Sequence, residues 1–573
     1  MPTLRIYPHL LGGLLFLVGL PSYSWGQAHR IFLSWETAMH QPDRVQHLRL
    51  NGQMLTQLPA ELGQLGQLRS LSLSGNRLSI LPPGLGQLTH LRTLELGNNP
   101  QLRIGETLER LAQLDSLAVL DLSATGIDNL PPAAGRLAQL QTLDLAYNPK
   151  LAWPQALAIL AELPRLTALT LTHARATALP GSIQELKKLQ FLDLGFNLLE
   201  TLPAELGELK QLRELGLAGL PKLDWPQVLA TLALIPALRH LDLSNNGLAS
   251  LPANISELHQ LESIDLSGNP QLDLADACRK LARLPHLRVL RLNRAGLQKL
   301  PPEIGLLRQL TEIQLAFNQL AELPAALCEL TALRTIRANE NQLRQLPAGM
   351  GQLHQLEDLN LAVNRLTDLP PSLGRCANLI ELNLGYNALT SLPDAIFDLP
   401  QLARLSLAGA KQLDLASNLP KLTRLKALLA LNVSEVPLGR WAACLPAMPH
   451  LEELVAWRCQ LATLPVSWGI LPKLQRLDLT GNRLSEWPSA FPALVQLTYL
   501  GLAGNLFTAF PEGLYVAPRL RNLSFGGPNL RQFPARPAAL LQLELLRLDL
   551  TWSGDEAVRE NFVQQLPGVE VRF

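Results

Sequence analysis

Leucines recur along the chain in a pattern that changes its period within each short segment. In "LRSLSLSGNRLSILP" (68–82), leucine alternates with polar residues around Leu71 and Leu73, which is the period of a strand with one buried face. Asn76 follows where the chain must turn, and its side-chain amide can bond backbone groups there. Pro82 then prevents continuation of the strand. Each such segment therefore predicts a short strand, a turn and an outer connection.

The same segment returns throughout the sequence. It recurs as "LQTLDLAYNPKLAWP" (140–154), "LRHLDLSNNGLASLP" (238–252), "LEDLNLAVNRLTDLP" (356–370) and "LQRLDLTGNRLSEWP" (474–488). About 22 repeats cover residues 45–552, at steps of 23 or 26 residues apart from a last step of 25. Such a period indicates an array in which each repeat packs only against its neighbours. The outer segments of the 26-residue repeats have helical spacing, so short helices are expected there and looser turns in the 23-residue repeats.

The pattern L-x-x-L-x-L-x-x-N-x-L over residues 45–552 resembles that of leucine-rich repeat proteins. The following L-P-x-x-L-x-x-L, as in "LPAELGQLGQL" (58–68), resembles a subclass found in intracellular Ras-binding scaffolds and in many bacterial proteins. The resemblance implies an α/β solenoid. This would be a curved horseshoe with a parallel β-sheet on its concave face and short helices, turns or coil on its convex face.

The turn asparagine is predicted to tie neighbouring repeats together. Stacked side by side, these amides would form a ladder that satisfies backbone groups buried by the turns. The repeats that keep it have Asn76, Asn99, Asn148, Asn197, Asn246, Asn269, Asn318, Asn341, Asn364, Asn387, Asn482 and Asn505.

Both ends of the array must be closed, because a repeat buries its leucines only by stacking. Residues 27–44 are expected to form an N-terminal capping helix that begins at Ser34 and covers the first repeat. Residues 553–573 are expected to form a C-terminal cap, a helix followed by a final strand at "VEVRF". Ser553 and Glu556 have the spacing of a capping box at the start of that helix.

Residues 1–26 are predicted to be a signal peptide. Arg5 precedes an apolar run over residues 10–20, which suits a secretory signal and is shorter than the roughly 20 residues that cross a bilayer. Cleavage is expected after Gly26, or alternatively after Ala28, and a retained N-terminal helix is the other interpretation. Charged residues interrupt every later leucine-rich stretch, so no transmembrane segment is expected in the mature chain. We therefore expect a secreted, periplasmic or cell-surface protein.

Composition and motifs argue against several classes of function. The 49 Lys and Arg nearly balance the 48 Asp and Glu, so we expect no nucleic-acid partner. The five cysteines are scattered and predict neither a disulfide framework nor a metal site.

No nucleotide-binding, metalloprotease, hydrolase or kinase motif is present. His240, Ser263, Asp242 and Asp265 are the residue types of a hydrolase triad, but an open sheet lacks an oxyanion hole. We expect no enzyme and no cofactor.

One row of aromatic residues is a candidate contact surface. Phe196 lies just before the turn asparagine, and Tyr147, Phe317 and Tyr386 occupy the same place in other repeats. Large rings on a solvated sheet have no core to fill, which favours a contact surface. The alternative is that each ring packs only over its neighbours.

Charge along the position between the strand leucines gives the second candidate surface. Neighbouring strands lie about 4.8 Å apart, so these side chains are predicted to form an acidic strip that meets a basic patch on one inner wall. Glu312 and Glu340 are expected to neutralise part of the basic patch, and a purely solvated face is the alternative. The acidic residues at this position are Glu95, Asp121, Asp144, Asp193, Asp242 and Asp265. The basic residues at this position are Arg291 and Arg337, with Arg288, Arg294 and Arg334 close by.

The sequence thus predicts a non-catalytic binding scaffold. Its expected partner is a protein or peptide, with a glycan as an alternative, held on the concave face by a monomer. The resemblance to Ras-binding scaffolds keeps a cytosolic signalling scaffold as the second hypothesis, which requires that residues 1–26 are retained.

Overall fold

The computed structural model of the protein describes residues 31–444, 448–465, 468, 471–488, 495–530, 534–550 and 556–572. The chain divides into two compact parts, Met1–Leu238 and Arg239–Phe573, called here the N-terminal half and the C-terminal half. The predicted signal peptide and Ser553 of the predicted capping box lie outside the described residues. Within the described residues, no helix has the length and apolar character needed to span a membrane.

The N-terminal half is built on parallel strands that are mostly three residues long. Adjacent strands place their central leucines side by side, as Leu120 beside Leu143 and Leu169 beside Leu192. These leucines are buried, while the residues before and after each of them point to the other side of the sheet, called here the strand face. The strands are β1 Ile31–Phe32, β2 His47–Arg49, β3 Ser70–Ser72, β4 Thr93–Glu95, β5 Val119–Asp121, β6 Thr142–Asp144, β7 Ala168–Thr170, β8 Phe191–Asp193 and β9 Glu214–Gly216.

The C-terminal half repeats this arrangement with the same register. Ile313 lies beside Ile336, and Leu359 lies beside Leu382. The strands are β10 His240–Asp242, β11 Ser263–Asp265, β12 Val289–Arg291, β13 Glu312–Gln314, β14 Thr335–Arg337, β15 Asp358–Asn360, β16 Glu381–Asn383, β17 Arg404–Ser406, β18 Ala430–Asn432, β19 Glu453–Val455, β20 Arg476–Asp478, β21 Tyr499–Leu502, β22 Asn522–Gly527, β23 Leu545–Leu550 and β24 Glu570–Arg572. Both halves are therefore leucine-rich-repeat α/β solenoids, as the sequence predicts.

The outer connections differ with the length of the repeat. The 26-residue repeats carry α-helices, whereas the 23-residue repeats carry short 3₁₀ helices rather than the looser turns expected. A proline directly precedes most of the 3₁₀ helices and its ring restricts φ there, for example to −66° in Pro180. The α-helices are α1 Trp35–Met39, α2 Ile104–Leu111, α3 Trp153–Leu160, α4 Trp225–Leu232, α5 Leu274–Leu281, α6 Leu415–Asn418 and α7 Glu556–Gln564. The 3₁₀ helices are Pro42–Arg44, Ala60–Gln64, Pro83–Gln87, Pro132–Arg136, Gly181–Glu185, Ala204–Glu208, Ala253–Glu257, Pro302–Leu306, Ala325–Glu329, Ala348–Gln352, Pro371–Arg375, Asp394–Asp398, Leu419–Arg424, Gly439–Cys444, Glu512–Val516 and Pro537–Leu540.

The asparagine ladder is confirmed, and Asn148 shows its geometry. The amide Nδ2 donates to the carbonyl oxygens of Leu145 in its own repeat and Leu122 in the preceding repeat, both at 3.0 Å. The carbonyl Oδ1 accepts from the backbone N–H groups of Gly126 (2.9 Å) and Ile127 (3.1 Å) in the preceding repeat. One side chain therefore satisfies buried backbone groups in two repeats at once. Asn76, Asn99, Asn197, Asn269, Asn318, Asn341, Asn364, Asn387, Asn482 and Asn505 donate in the same way to the residues three and 26 positions earlier.

The segments assigned to the caps contain both strand and helix. Before the first repeat, the hydroxyl of Ser34 accepts from the N–H of Thr37 at the start of α1, and Ala38 is fully buried. Strand β1, which the sequence analysis does not predict, pairs with β2 and buries Phe32. After the last repeat, α7 buries Phe562 and β24 pairs with β23.

Candidate functional site

Every repeat from the one starting at Val45 to the one starting at Leu497 has a residue in the left-handed conformation at the same position. This residue directly precedes the turn-asparagine position, and the set in each half is called here the turn ridge. Glycine adopts this conformation freely, whereas other residues are strained by roughly 1 kcal/mol or more. The non-glycine members have φ of 52–59° and are Asn98, Ala124, Tyr147, His173 and Phe196 in the N-terminal half, and Asn245, Arg294, Phe317, Glu340, Val363, Tyr386, Glu435 and Arg458 in the C-terminal half.

Three consecutive ridge residues in the N-terminal half form a continuous stack of rings. The ring centroids of Tyr147 and His173 are 4.2 Å apart with planes at 13°, and those of His173 and Phe196 are 4.6 Å apart at 17°. Beyond the stack, the ring of Phe196 occupies the space where a side chain at Gly219 would lie. Tyr147 and Phe196 remain 44% and 40% exposed. These rings therefore pack over their neighbours and also remain exposed.

The imidazole at the centre of the stack is neutral at physiological pH. Nδ1 of His173 is buried and has no hydrogen-bond partner among the described residues. Burial lowers the pKa of this histidine, because a charged imidazolium would lose its hydration. The stack is consequently an apolar platform with an uncharged centre.

A row of carboxylates follows the strand face beside this stack. Asp121, Asp144 and Asp193 each accept a bond from the backbone N–H two residues later, at 2.8, 2.8 and 2.9 Å. None of the three has an ion-pair partner within the described part of the chain. At the strand positions that face this side from Thr93 to Gly216, the sequence has no lysine or arginine. The strand face of this half is therefore acidic.

Crowding of these carboxylates changes their protonation. Burial raises the pKa of Asp144 to about 7, and the negative charges of Asp121 and Asp193 add to the effect. Burial likewise raises the pKa of Asp193 to about 6 and the pKa of Asp121 above its ordinary value. Both burial and neighbouring like charges disfavour the ionised form. A positively charged group placed beside this row would instead favour the ionised form of the carboxylates.

Asp193 is less accessible than the sequence predicts. Its side chain is on the strand face, as expected, but only 7% of the residue is exposed. Its carboxylate lies against Gly216 in the next strand, where no side chain holds it away from the sheet. Asp193 is therefore on the strand face with the rest of the predicted acidic strip, but it is largely buried.

The other two candidate aromatics lie on the turn ridge of the C-terminal half. The guanidinium of Arg294 lies 4.5 Å from the ring centroid of Phe317, a cation–π distance. The hydroxyl of Tyr386 donates to Glu435 at 3.4 Å, and its ring lies over Gly409. Both rings remain exposed, but they do not form a continuous stack like that of the N-terminal half.

In the part of the chain that the structure describes, two of the five predicted basic residues form ion pairs. Arg334 and Arg337 form ion pairs with Glu357 (2.7 Å) and Asp358 (3.2 Å), which come from the next repeat. Neutralisation by Glu312 and Glu340 was expected instead. However, the carboxylate of Glu312 accepts from Gln314 at 2.6 Å, and no ion pair of Glu340 occurs within the described residues. Arg288 is exposed. The charges of Arg334 and Arg337 are therefore compensated by carboxylates of the next repeat.

The cluster around His240 is not arranged as a hydrolase triad. The register places His240 beside Ser263 and Asp242 beside Asp265. The hydroxyl of Ser263, however, accepts a hydrogen bond from the guanidinium of Arg291 at 2.9 Å, which is not a nucleophile–base contact. Asp242 and Asp265 accept from backbone N–H groups two residues later, both at 2.8 Å. Within the described ranges, no group of three or more His, Cys, Asp or Glu side chains could hold a metal ion.

Sequence reasoning missed the role of His173 and two further contacts. The row of aromatic residues predicted from the sequence does not include His173, although it is the centre of the ring stack. In the C-terminal half, the guanidinium of Arg476 lies 3.7 Å from the ring centroid of Tyr499, and that of Arg458 lies 5.3 Å from the ring of Trp457. Aligning the residue before each turn asparagine would have placed His173 between two aromatic residues.

Comparison with known sequences identifies the repeat. A model described as leucine-rich repeat region matches residues 271–364. A second, described as leucine rich repeat, matches residues 164–219, 354–413 and 449–507. A third, for two copies of the repeat, matches residues 66–112 and 236–281. No curated protein matches the chain by sequence.

Comparison with solved structures supports the fold. The crystal structure of a TLR13–ssRNA13 complex has a TM-score of 0.65 and 21% identity, and covers 96% of this chain and 85% of that chain. The structure of the plant peptide hormone receptor RGFR1 in complex with RGF2 has a TM-score of 0.38 and 23% identity, and covers 92% of this chain and 89% of that chain. The structure of an internalin from Listeria monocytogenes has a TM-score of 0.42 and 21% identity, and covers 60% of this chain and 88% of that chain. At these identities the likeness to TLR13 shows the fold alone, and the other two scores are too low to support an argument.

Proposed function

We propose that this chain, which belongs to the leucine-rich repeat family, is a non-catalytic scaffold that binds a protein or peptide on its strand face and turn ridge. The observation that carries this proposal is the ring stack of Tyr147, His173 and Phe196. All three are held in the left-handed conformation, where glycine would be less strained. Strain of this kind persists mainly where function requires the side chain. Exposed aromatic clusters are also the surfaces that dominate protein binding.

The acidic strand face favours a protein or peptide over a nucleic acid. The TLR13 structure is a complex with single-stranded RNA, so this fold can hold a polyanion. In the N-terminal half of this chain, however, carboxylates without ion-pair partners in the described residues follow the ring stack, and they would repel phosphates. A glycan would use the same exposed rings and is the alternative partner. The class of molecule captured in the experiment below distinguishes the two.

Replacing Tyr147, His173 and Phe196 together by glycine is expected to reduce capture of the native partner at least tenfold. The fold should persist, because Gly75 and Gly219 occupy the same left-handed position in other repeats. The measurement is affinity capture from the native medium or cell envelope followed by mass spectrometry, with circular dichroism to check folding. Leu234→Ala, which changes an exposed residue of the outer connections, is the control and should leave capture unchanged. Equal recovery by the triple variant would contradict the proposal.

The proposed location is outside the cytosol, in the medium, the periplasm or the cell surface. The support is the apolar run over residues 10–20 followed by small residues. N-terminal sequencing of the native protein is expected to begin at Gln27, or at His29 if cleavage follows Ala28. An intact Met1 or Pro2 in a cytosolic fraction would instead favour the cytosolic signalling scaffold.

A further inference from the structure

We propose that the N-terminal half carries a subsite for the guanidinium group of an arginine side chain, between Ala124 and the ring of Tyr147, with Asp121 and Asp144 as its anionic partners. This inference rests on the proposed function and specifies the partner as a peptide segment that contains arginine. In this subsite the ring face of Tyr147 stacks on the guanidinium, and the carboxylates of Asp121 and Asp144 pair with its charge.

The turn ridge leaves one ring face uncovered by another ring. Tyr147 stacks on His173, which stacks on Phe196, and Phe196 lies over Gly219. The neighbour of Tyr147 on the opposite side is Ala124, which carries only a methyl group. Neighbouring strands are about 4.8 Å apart, close to the 4.2 Å and 4.6 Å between the stacked rings. The space above Ala124 therefore has the thickness of one further planar group.

Two carboxylates flank this space. Asp121 and Asp144 lie side by side in strands β5 and β6, three residues before Ala124 and Tyr147 respectively. In each, one oxygen accepts from the backbone N–H two residues later, and the carboxylate of Asp121 is also bonded by the side chain of Ser123 and the backbone of Gly97. Burial raises the pKa of the Tyr147 hydroxyl, and the negative charge of Asp144 adds to the effect.

A guanidinium group meets both requirements of the subsite. It is planar and stacks on aromatic rings, and its fork of N–H donors matches carboxylates. A lysine ammonium supplies charge without a planar face, and a nucleobase supplies a face without the charge. Glu95 lies beside Asp121 in the adjacent strand β4 and adds to the negative potential.

Proton linkage gives the subsite a distinctive signature. The guanidinium favours ionised carboxylates, while burial raises the pKa of Asp144 to about 7 and also raises that of Asp121. Binding therefore releases protons, and affinity is expected to rise between roughly pH 6 and pH 8. Asp193, whose pKa burial raises to about 6, acts in the same direction. Burial lowers the pKa of His173, which favours the neutral form of that ring, and Glu95 and the Tyr147 hydroxyl are the remaining facing groups.

The test uses the full chain and fluorescently labelled hexa-arginine, hexa-lysine and hexa-citrulline peptides, measured by fluorescence anisotropy. Hexa-arginine is expected to bind at least fivefold more tightly than hexa-lysine, and hexa-citrulline should not bind. Combined Asp121→Asn and Asp144→Asn is expected to weaken hexa-arginine binding at least tenfold and to reduce its pH dependence. The fold should tolerate the exchange, because Asn360, Asn383 and Asn432 make the same bond in other repeats, at 3.1, 3.1 and 3.0 Å.

The matched control is Asp478→Asn. Asp478 occupies the same repeat position in the C-terminal half and accepts from the N–H of Thr480 at 3.1 Å, so its replacement removes one equivalent charge elsewhere. It should leave hexa-arginine binding unchanged, whereas Tyr147→Gly should reduce the preference for arginine over lysine.

Two results would overturn the subsite. The first is equal binding of hexa-arginine and hexa-lysine, since a general acidic surface would give it. The second is unchanged binding in the double variant. If the ring-stack variant still loses its native partner in either case, the proposed function stands and only the subsite fails. If capture is also unchanged, both proposals fail.

Discussion

Replacing Asn148 by alanine is expected to lower the free energy of unfolding by about 3–5 kcal/mol, because it removes the bonds that satisfy several buried backbone groups. The carbonyls of Leu122 and Leu145 would lose their donor, and the N–H groups of Gly126 and Ile127 would lose their acceptor. Asn148 itself is fully buried, so water cannot replace these bonds without opening the turn.

The measurement is the thermal and urea midpoint, combined with hydrogen exchange at the amides of Gly126 and Ile127. Exchange there should accelerate before exchange in distant repeats, since stability in an array is a nearest-neighbour property.

Asn148→Thr gives a graded control. Thr125 occupies the equivalent position and its hydroxyl donates only to the carbonyl of Leu122, at 2.7 Å. A threonine there should therefore give an intermediate loss. An alanine variant with wild-type midpoints would show that the ladder contributes little.

Replacing Gly374 by alanine is expected to lower the free energy of unfolding by about 2–3 kcal/mol through overpacking. A Cβ atom at this position in the 3₁₀ helix Pro371–Arg375 would lie 2.6 Å from the carbonyl oxygen of Ala395 and 2.8 Å from its carbonyl carbon. Those atoms belong to the backbone of the next repeat, so the clash can be relieved only if the two repeats move apart.

Gly105→Ala is the matched control for this effect. Gly105 lies in helix α2, and a Cβ atom there would meet no atom within 4 Å. Alanine also favours the helix over glycine by roughly 0.8–1 kcal/mol, so this variant should be slightly more stable than the wild type. The free energy of unfolding of both variants is measured by thermal and urea unfolding. Equal changes in the two variants would rule out close approach of neighbouring repeats as the cause.

The parts of the fold that repeat could be predicted from the sequence. The alternation around Leu71 and Leu73 predicts a strand because side-chain direction alternates along any extended chain. The ladder follows from the placement of asparagine at the turn, where a short amide reaches both its own repeat and the preceding one. The 3₁₀ helices after Leu-Pro were less predictable, since their backbone depends on how tightly adjacent turns pack.

The candidate site was harder to predict because its properties arise between repeats. Asp193 is buried against Gly216, a residue that lies 23 positions later. The ring stack depends on His173 lying 26 positions after Tyr147 and 23 before Phe196. The partners of Arg334 and Arg337 likewise come from the following repeat. The sequence of a single repeat does not determine burial or pairing, because both depend on side chains of the neighbouring repeats.

The direction of the asparagine bonds has a consequence for how the chain is made. Asn148 and its counterparts bond only to their own repeat and to the one before it. During synthesis the preceding repeat has already emerged, so each new turn finds its acceptors in place and the array can grow vectorially behind the ribosome or translocon. Truncation between repeats from the carboxyl end would leave every remaining ladder bond intact, whereas truncation from the amino end would leave the first remaining asparagine without its upstream partners.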